Sequence, residues 1–219
     1  MSATPSVAVL LGGGVESTAL VRRFVAEGRR VLPIHVHCGL IWDDCESRYV
    51  RRFCETSATA LLAPLVEIRL PLNEFLNGHW AVTGRDVPRA GDAAAELEIP
   101  LRNLTLLSFA LHRLSPSGDV ALALGTTRDN CYRDGSREYF DKCEELLSLE
   151  TGRQVEVLTP LIGLSKPGVI RLSDPATLAL SFSCVNPRDD LHCGECIKCG
   201  RRKAAFRAAG GADPTAYLA

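Results

Sequence analysis

The sequence has almost no excess charge of one sign and no long apolar run. Its 25 Lys and Arg residues balance 26 Asp and Glu residues, which gives a formal net charge of -1. A dedicated nucleic-acid binder usually carries a basic surplus, so that class is not indicated, although nucleic acid is not excluded as a ligand. No run approaches the roughly 18 apolar residues of a membrane helix, and Met1 to Ser6 has no basic residue of a secretory signal. We therefore expect a protein of the reducing cytoplasm with no membrane contact.

The composition also argues against disorder and fibrous structure. Hydrophobic residues make up 46% of the 219 residues and charged residues 23%, which is typical of a globular protein with a buried core. The length suits one domain, or two small ones.

Cysteine, in contrast, is abundant. The nine cysteines cannot all pair, and the spacing Cys184-x8-Cys193-x2-Cys196-x2-Cys199 brings four of them close together in sequence. Four thiolates in a closed site are typical of structural zinc. An iron–sulfur cluster, a redox dithiol and unligated thiols are the alternatives, and His192 could replace one ligand. Most of the other five are predicted to be small core residues: Cys38, Cys45, Cys54, Cys131 and Cys143.

Strand-like and helix-like patterns alternate along most of the chain. Short apolar runs predict strands at 7–11, 31–36, 65–70, 120–124 and 155–158. Helical spacing follows the first glycines up to Gly28 and returns at about 44–62, 103–114 and 137–149. This alternation predicts parallel strands joined by right-handed crossovers in a three-layer α/β fold, which binds ligands at the carboxyl ends of its strands.

Three segments fall outside this alternation. Residues 71–101 are polar and rich in Gly and Pro, so we expect a long loop with some short helix, of the kind that covers a site. After Pro160 the periodicity is weak, and from Ser183 the cysteine-rich segment leads into a short basic helix. We expect residues 1–180 to form the α/β domain and residues 181–219 to pack with it as one unit.

Three consecutive glycines lie between the first predicted strand and the first predicted helix. Bare backbone amides beside a helix N-terminus form a natural phosphate site. No Lys-Ser or Lys-Thr closes a Walker A loop, and Ser17 stands where a dinucleotide fingerprint has its third glycine. The segment still resembles the Ser-Gly-Gly-x-Asp-Ser loop of the PP-loop ATP pyrophosphatases. The alternative is a glycine turn that is needed only for packing. The candidate ATP-binding residues are Leu11, Gly12, Gly13, Gly14, Val15, Glu16, Ser17 and Thr18.

The glycine loop and the cysteine segment, taken together, resemble one family. Residues 192–199, 201–206 and 213–217 are similar, almost residue for residue, to the zinc segment and closing helix of the 7-cyano-7-deazaguanine (preQ0) synthases, the QueC or ExsB family of PP-loop enzymes. Pro100 to Asn103 resembles the family's Pro-Gly-Arg-Asn motif, and Pro160 to Lys166 its Pro-Leu-x-x-x-x-Lys motif. The resemblance implies a parallel α/β sheet of the adenine nucleotide alpha hydrolase-like (HUP, PP-loop) type with a small C-terminal zinc-binding segment.

The resemblance also implies an ATP-dependent ligase that forms a carbon–nitrogen bond. In the family, the carboxylate of 7-carboxy-7-deazaguanine attacks the α-phosphorus of ATP, ammonia displaces AMP, and a second activation dehydrates the amide to the nitrile. ATP with Mg²⁺, ammonia and the acid are the expected small-molecule partners, with structural Zn²⁺ on the cysteines. No nucleic-acid partner is expected, and a homodimer is left open. Arg102 and Lys166 are the candidate catalytic residues, because both can contact phosphate or carboxylate oxygens; surface ion pairs are their alternative role.

The substrate pocket is expected in the loop from Gly125 to Glu138, which follows a strand end. A carboxylate there can accept hydrogen bonds from the amidine-like edge of a deazaguanine, and an aromatic ring can stack on its face. A capped turn before the next helix is the alternative role for Asp134 and Ser136. The candidate substrate-binding residues are Asn103, Asp129, Tyr132, Asp134 and Glu138.

The sequence departs from the family pattern at three points around this pocket. Tyr132 to Tyr139 lacks a Cys and an Arg of the family, Cys38 to Leu40 replaces Tyr-Gly-Gln, and Glu16 replaces the loop's Asp. A ligase that stops at the amide or activates a different acid is therefore one alternative. A zinc-ribbon module for RNA is another, because basic residues follow the cysteines. These residues are Arg201, Arg202, Lys203 and Arg207.

Overall fold

The computed structural model describes residues 6–114 and 120–218. Its strands are β1 (Val7–Leu10), β2 (Val31–His37), β3 (Val66–Arg69), β4 (Val120–Ala123) and β5 (Val155–Leu158). They form one parallel sheet in the order β3-β2-β1-β4-β5. The five predicted strands are thus confirmed, with bounds shifted by no more than one residue.

Helices cover both faces of this sheet. Within the described ranges they are α1 (Val15–Ala26), α2 (Asp43–Thr56), α3 (Trp80–Thr83), α4 (Arg102–Arg113), α5 (Arg137–Thr151), α6 (Lys166–Leu172), α7 (Pro175–Ala179) and α8 (Ile197–Ala209). None of them has the length and hydrophobicity needed to cross a membrane. Of the stretch Met1 to Ser6, for which no secretory signal is expected, only Ser6 lies within the described residues.

Each face of the sheet has its own core, as a three-layer fold requires. In β1, Val7 and Val9 point to one face, where apolar residues of α1, α2, α6, α7 and α8 pack. Ala8 and Leu10 point to the other face and pack against α4 and α5. Because both faces of β1 are buried in this way, every residue of the strand is apolar in the sequence. The predicted three-layer parallel α/β fold is confirmed.

The predicted helix at 44–62 is six residues too long at its C-terminal end. α2 ends at Thr56, and the chain then turns towards the sheet. The Val31 amide donates to Leu61 O at 2.8 Å, and the Ala63 amide donates to Val31 O at 2.8 Å. Because the backbone of residues 61–63 hydrogen-bonds to the start of β2, it cannot continue the helix.

Two short helices, α6 and α7, were not predicted, although their start signals are visible in the sequence. Ser165 accepts the Gly168 amide at the N-terminus of α6, and Asp174 accepts the Thr177 amide at that of α7. A proline follows within the first turn of each helix. Both helices are too short to show apolar periodicity, which is why the pattern after Pro160 is weak.

The segment 71–101 is a long loop, as expected. Apart from α3, it contains 3₁₀ turns at Leu72–Phe75 and Ala94–Leu97. Trp80, Leu97, Glu98 and Ile99 of this loop line a cavity at the carboxyl ends of the strands. We call residues 71–101 the covering loop.

The side chain of Arg202 in α8 is fully buried, which argues against the RNA-binding alternative. Its guanidinium donates to five oxygens, while Lys203 donates to Gly194 O at 3.0 Å and lies 4.2 Å from the centre of the Tyr217 ring. The acceptors of Arg202 are Leu178 O, Ser181 Oγ, Ser183 Oγ, Asp213 Oδ1 and Thr215 Oγ1, at 2.6–3.3 Å. Two of the four basic residues are therefore used inside the fold and do not form a phosphate-binding stripe.

We predict that Arg202→Met destabilises the protein by about 3–5 kcal/mol, because it removes a fully buried cation that pairs with the Asp213 carboxylate and donates to four further acceptors. Arg202→Lys should recover little of this loss, since one ammonium cannot reach acceptors on opposite sides. Urea denaturation measures the free energy of unfolding. Arg207→Met, at an exposed position of α8, is the control and should change it by less than about 0.5 kcal/mol. A loss for Arg202→Met no larger than for this control would contradict the role of Arg202.

Candidate active site

The strand order reverses between β1 and β4, and the candidate site lies at their carboxyl ends. In such sheets the connections leave the two strands in opposite directions, and a crevice opens between them. A cavity of about 350 Å³ occupies this position. Gly12, Gly14 and Glu16 line it from the end of β1, and Gly125 and Thr126 from the end of β4.

The glycine loop turns the chain directly from β1 into α1. Gly13 has φ +69°, a left-handed conformation that favours glycine, and a Cβ there would lie in tight contact, 3.2 Å from the Val50 side chain. α1 has no side-chain cap, and Gly14 is its N-cap residue. Its first-turn amides are therefore available to an anion in the cavity.

The eight candidate residues of this loop divide into two groups. Five line the cavity: Leu11, Gly12, Gly14, Glu16 and Ser17. Gly13, Val15 and Thr18 are buried and shape the turn instead. The Thr18 hydroxyl donates to Gly14 O at 3.0 Å and to Val15 O at 3.1 Å, which stabilises the start of α1.

Gly125 permits a close backbone approach that the sequence pattern does not reveal. A Cβ at this position would lie 2.7 Å from the Ser17 amide nitrogen and 2.8 Å from the Glu16 carbonyl carbon. The chain after β4 can therefore lie directly against the first turn of α1 only because residue 125 has no side chain.

Three cationic side chains reach the cavity from three different parts of the chain: Arg102 of α4, Lys166 of α6 and Lys198 of α8. Lys166 pairs with Glu16, with its Nζ 2.8 Å from Glu16 Oε1. Among the residues that the structure describes, the buried Arg102 Nε has no hydrogen-bond partner. Burial and the neighbouring Lys166 ammonium lower the pKa of Lys198 to about 8. The candidates Arg102 and Lys166 are thus brought together, and Lys198 joins them unpredicted.

The two acidic residues beside the glycine loop behave differently. Burial alone would raise the pKa of Glu16, but the Lys166 ammonium, by charge and by hydrogen bond, holds it below its usual value. Burial raises the pKa of Glu46 to about 8, although the Arg102 guanidinium acts in the opposite direction. Glu46 is therefore mostly neutral at pH 7 and does not cancel the charge of Arg102 and Lys198.

Three of the five candidate substrate residues line the same cavity: Asn103, Tyr132 and Asp134. Asn103 Nδ2 donates to Asp134 O at 2.9 Å, which joins α4 to the loop after β4. The Tyr132 hydroxyl donates to Ala94 O of the covering loop at 2.6 Å. Burial and the nearby Glu98 carboxylate raise the pKa of Asp134.

The other two candidates lie outside the cavity. Asp129 is exposed, and its carboxylate accepts the Lys166 amide, so it contacts the α6 backbone. Glu138 is exposed in the first turn of α5 and pairs with Lys142 at 2.8 Å. Its position after the Ser136 cap directs the side chain to solvent. Asp129 and Glu138 are therefore not among the residues that line the cavity.

One departure from the family pattern also lies outside the cavity. Cys38 and Leu40, which replace the family's Tyr and Gln, are almost fully buried in the core. Trp42 and Trp80 contribute to the cavity wall nearby, with ring centroids 5.7 Å apart in a stacked arrangement. Neither tryptophan was predicted, because their approach depends on how the covering loop folds back onto α2.

The four cysteines of the C-terminal segment meet at one point. The Sγ atoms of Cys184, Cys193, Cys196 and Cys199 all lie within 4.8 Å of one another, and three of the pairs are 3.5, 3.8 and 4.0 Å apart. Sulfurs about 2.3 Å from a tetrahedral zinc ion lie about 3.8 Å apart, so the set fits Zn²⁺. We call residues 184–199 the zinc knuckle.

His192 does not belong to this ligand set. It is buried, and its Nε2 accepts the Ser183 amide at 3.0 Å. The ring therefore positions the chain just before Cys184 instead of binding the ion, and the alternative in which His192 replaces a cysteine is not supported by the geometry.

We predict one zinc ion per chain, measured by elemental analysis of the purified protein. Cys196→Ser should lose most of the zinc and unfold at a lower temperature, because metal binding contributes to folding free energy. Cys131→Ser, at an exposed cysteine outside the cluster, is the control and should keep both its zinc and its unfolding temperature. Wild-type protein that refolds fully and holds no zinc when the metal is supplied would contradict this assignment.

Comparison with known proteins agrees with this geometry. The family described as "Queuosine biosynthesis protein QueC" matches residues 6–210, which include the glycine loop, the cavity and the zinc knuckle. The 7-cyano-7-deazaguanine synthase of Pyrococcus furiosus is 31% identical, over 95% of both chains. That of Methanopyrus kandleri is 32% identical, over 96% of this chain and 97% of its own. Since the match spans nearly the whole length of both, the chain belongs to the QueC family.

Proposed function

We propose that the protein is a 7-cyano-7-deazaguanine synthase, which converts 7-carboxy-7-deazaguanine and ammonia to preQ0 at the expense of ATP. Membership of the QueC family supports this function. The observation that carries it is the single cavity that joins the glycine loop to the cations Arg102 and Lys166. A ligase that adenylates a carboxylic acid needs this combination, because it must bring two anions together.

In this proposal the phosphates of ATP bind at the start of α1. The first-turn amides and the Ser17 hydroxyl would donate to phosphate oxygens, and the helix dipole favours negative charge there. Lys166 would contact the same phosphates. Its Nζ lies 2.8 Å from Glu16 Oε1, so the ammonium would approach them from beside Glu16. Mg²⁺ would accompany ATP, and Glu16 is the ionised carboxylate that the glycine loop would offer to such a cation.

Arg102 would hold the reacting carboxylate against the α-phosphorus. Its buried Nε has no partner within the described residues, and a guanidinium can bind a carboxylate through two parallel hydrogen bonds. The deazaguanine ring would lie towards Asp134, whose side chain can accept hydrogen bonds from the amino and ring N–H groups. Since the Tyr132 hydroxyl already donates to Ala94 O, we propose that Tyr132 contacts the deazaguanine through its aromatic ring.

The chemistry then proceeds in two activations. A carboxylate oxygen attacks the α-phosphorus and pyrophosphate leaves; ammonia attacks the acyl carbon and AMP leaves with one proton lost from nitrogen, which forms the amide. The amide oxygen then attacks the α-phosphorus of a second ATP and pyrophosphate leaves; loss of AMP and of two protons from nitrogen forms the nitrile. The chain needs no covalent nucleophile for these steps, only alignment of the reactants, charge stabilisation and exclusion of water.

The zinc knuckle would have a structural role in this enzyme. Four cysteine ligands close the site, so no position remains for a substrate or a water molecule. Free thiolates persist in a reducing compartment, and we therefore place the protein in the cytoplasm.

We also propose that residues 1–180 and 181–219 act as an α/β domain and a zinc segment within one folding unit.

The test is an assay of the zinc-loaded protein with 7-carboxy-7-deazaguanine, ammonium and ATP-Mg. We predict release of AMP and pyrophosphate and a nitrile product, which mass spectrometry distinguishes from the amide by the mass of one water. Arg102→Met and Lys166→Met should each reduce kcat/KM by about 100-fold or more, because each removes a charged donor from the reacting groups. Lys142→Met, at an exposed position, is the control. Absence of AMP, or an amide as the final product, would contradict the proposed function.

A further inference from the structure

One cation of the cavity comes from the zinc knuckle itself. Lys198 stands between the ligands Cys196 and Cys199, and its side chain lines the cavity together with Gly12, Glu16 and Lys166. A zinc segment that served only to close the chain would not need a lysine directed into the active site.

The surroundings of Lys198 leave its charge without a local partner. Glu16, the ionised carboxylate of the glycine loop, is already paired with Lys166 at 2.8 Å. Lys198 lines the cavity with Glu16, Lys166 and Arg102, and its ammonium forms no hydrogen bond or close ion pair among the described residues. Three cations around one cavity repel one another, and a bound polyanion would relieve this repulsion.

The backbone of Lys198 is held on two sides. On one side, the candidate zinc ligands Cys196 and Cys199 precede and follow it in the chain. On the other, the knuckle pairs with the covering loop: the Ala90 amide donates to Glu195 O at 2.8 Å, and the Ile197 amide donates to Pro88 O at 2.9 Å. Gly200 permits this contact, because a Cβ there would lie 2.7 Å from Ala90 Cβ. The position of Lys198 is therefore fixed before any ligand binds, which favours a specific contact over a mobile surface charge.

We propose that Lys198 binds an oxygen of the ATP phosphate chain, so that the zinc knuckle supplies part of the nucleotide site. The phosphate chain is the favoured ligand because Lys198 lines the same cavity as the glycine loop and the Glu16–Lys166 pair. This inference rests on the proposed function, since it requires ATP in the cavity. It makes Lys198 a binding residue and gives the knuckle a role in substrate affinity besides stability.

Calorimetric titration of the zinc-loaded full chain with inorganic pyrophosphate, with ATP-Mg and with 7-carboxy-7-deazaguanine tests this role. We expect Lys198→Met and Lys198→Gln to weaken pyrophosphate and ATP binding by about tenfold or more, as for loss of a charged hydrogen bond, and to leave acid binding nearly unchanged. Lys198→Arg should retain most of the affinity. Arg207→Met removes a positive charge from an exposed position of the same helix and is the matched control. Elemental analysis must show one zinc ion in every variant compared.

Two results would overturn the inference. Zinc-loaded Lys198→Met and Lys198→Gln that bind pyrophosphate as tightly as wild type would exclude the phosphate contact. A loss confined to the acid would reassign Lys198 to the other substrate. Failure of the wild-type protein to bind either ATP or pyrophosphate would instead contradict the proposed function, and this inference with it.

Discussion

The close approach between the end of β4 and the first turn of α1 is the contact on which the site depends. β1 and β4 are neighbours with their carboxyl ends at the same edge, and their connections leave in opposite directions. Because Gly125 has no Cβ, the chain after β4 can lie against Glu16 and Ser17 instead of pushing α1 outward. The crevice therefore has the amides of α1 on one wall and the loop that carries Tyr132 and Asp134 on the other.

Electrostatics then decides what this crevice can hold. Lys166 keeps Glu16 ionised, whereas burial keeps Glu46 protonated at neutral pH. The charges of Arg102 and Lys198 are consequently left for a ligand. A chain of nearly zero net charge thus brings three cationic side chains to one cavity, which suits an enzyme for small anionic substrates and not a protein that binds along nucleic acid.

The parts of this structure that depend on local sequence could be predicted, and those that depend on distant contacts could not. Buried parallel strands, the glycine turn and the four cysteines each have a signature within a few residues. The burial of Arg202 depends on the chain from Leu178 to Ser183 and on the C-terminal tail, and the position of Lys198 depends on the covering loop. Glu138 lies in the first turn of α5 and pairs with Lys142 at the surface, a position that the sequence pattern did not distinguish from one in the cavity.

A crystal structure of the zinc-loaded protein with an ATP analogue that cannot be cleaved between the α- and β-phosphates would show where the nucleotide binds. We predict phosphates between the ends of β1 and β4, with oxygens within hydrogen-bond distance of the first-turn amides of α1 and of Lys166. An analogue whose phosphates bind away from the glycine loop, with the Glu16–Lys166 pair untouched, would contradict this prediction.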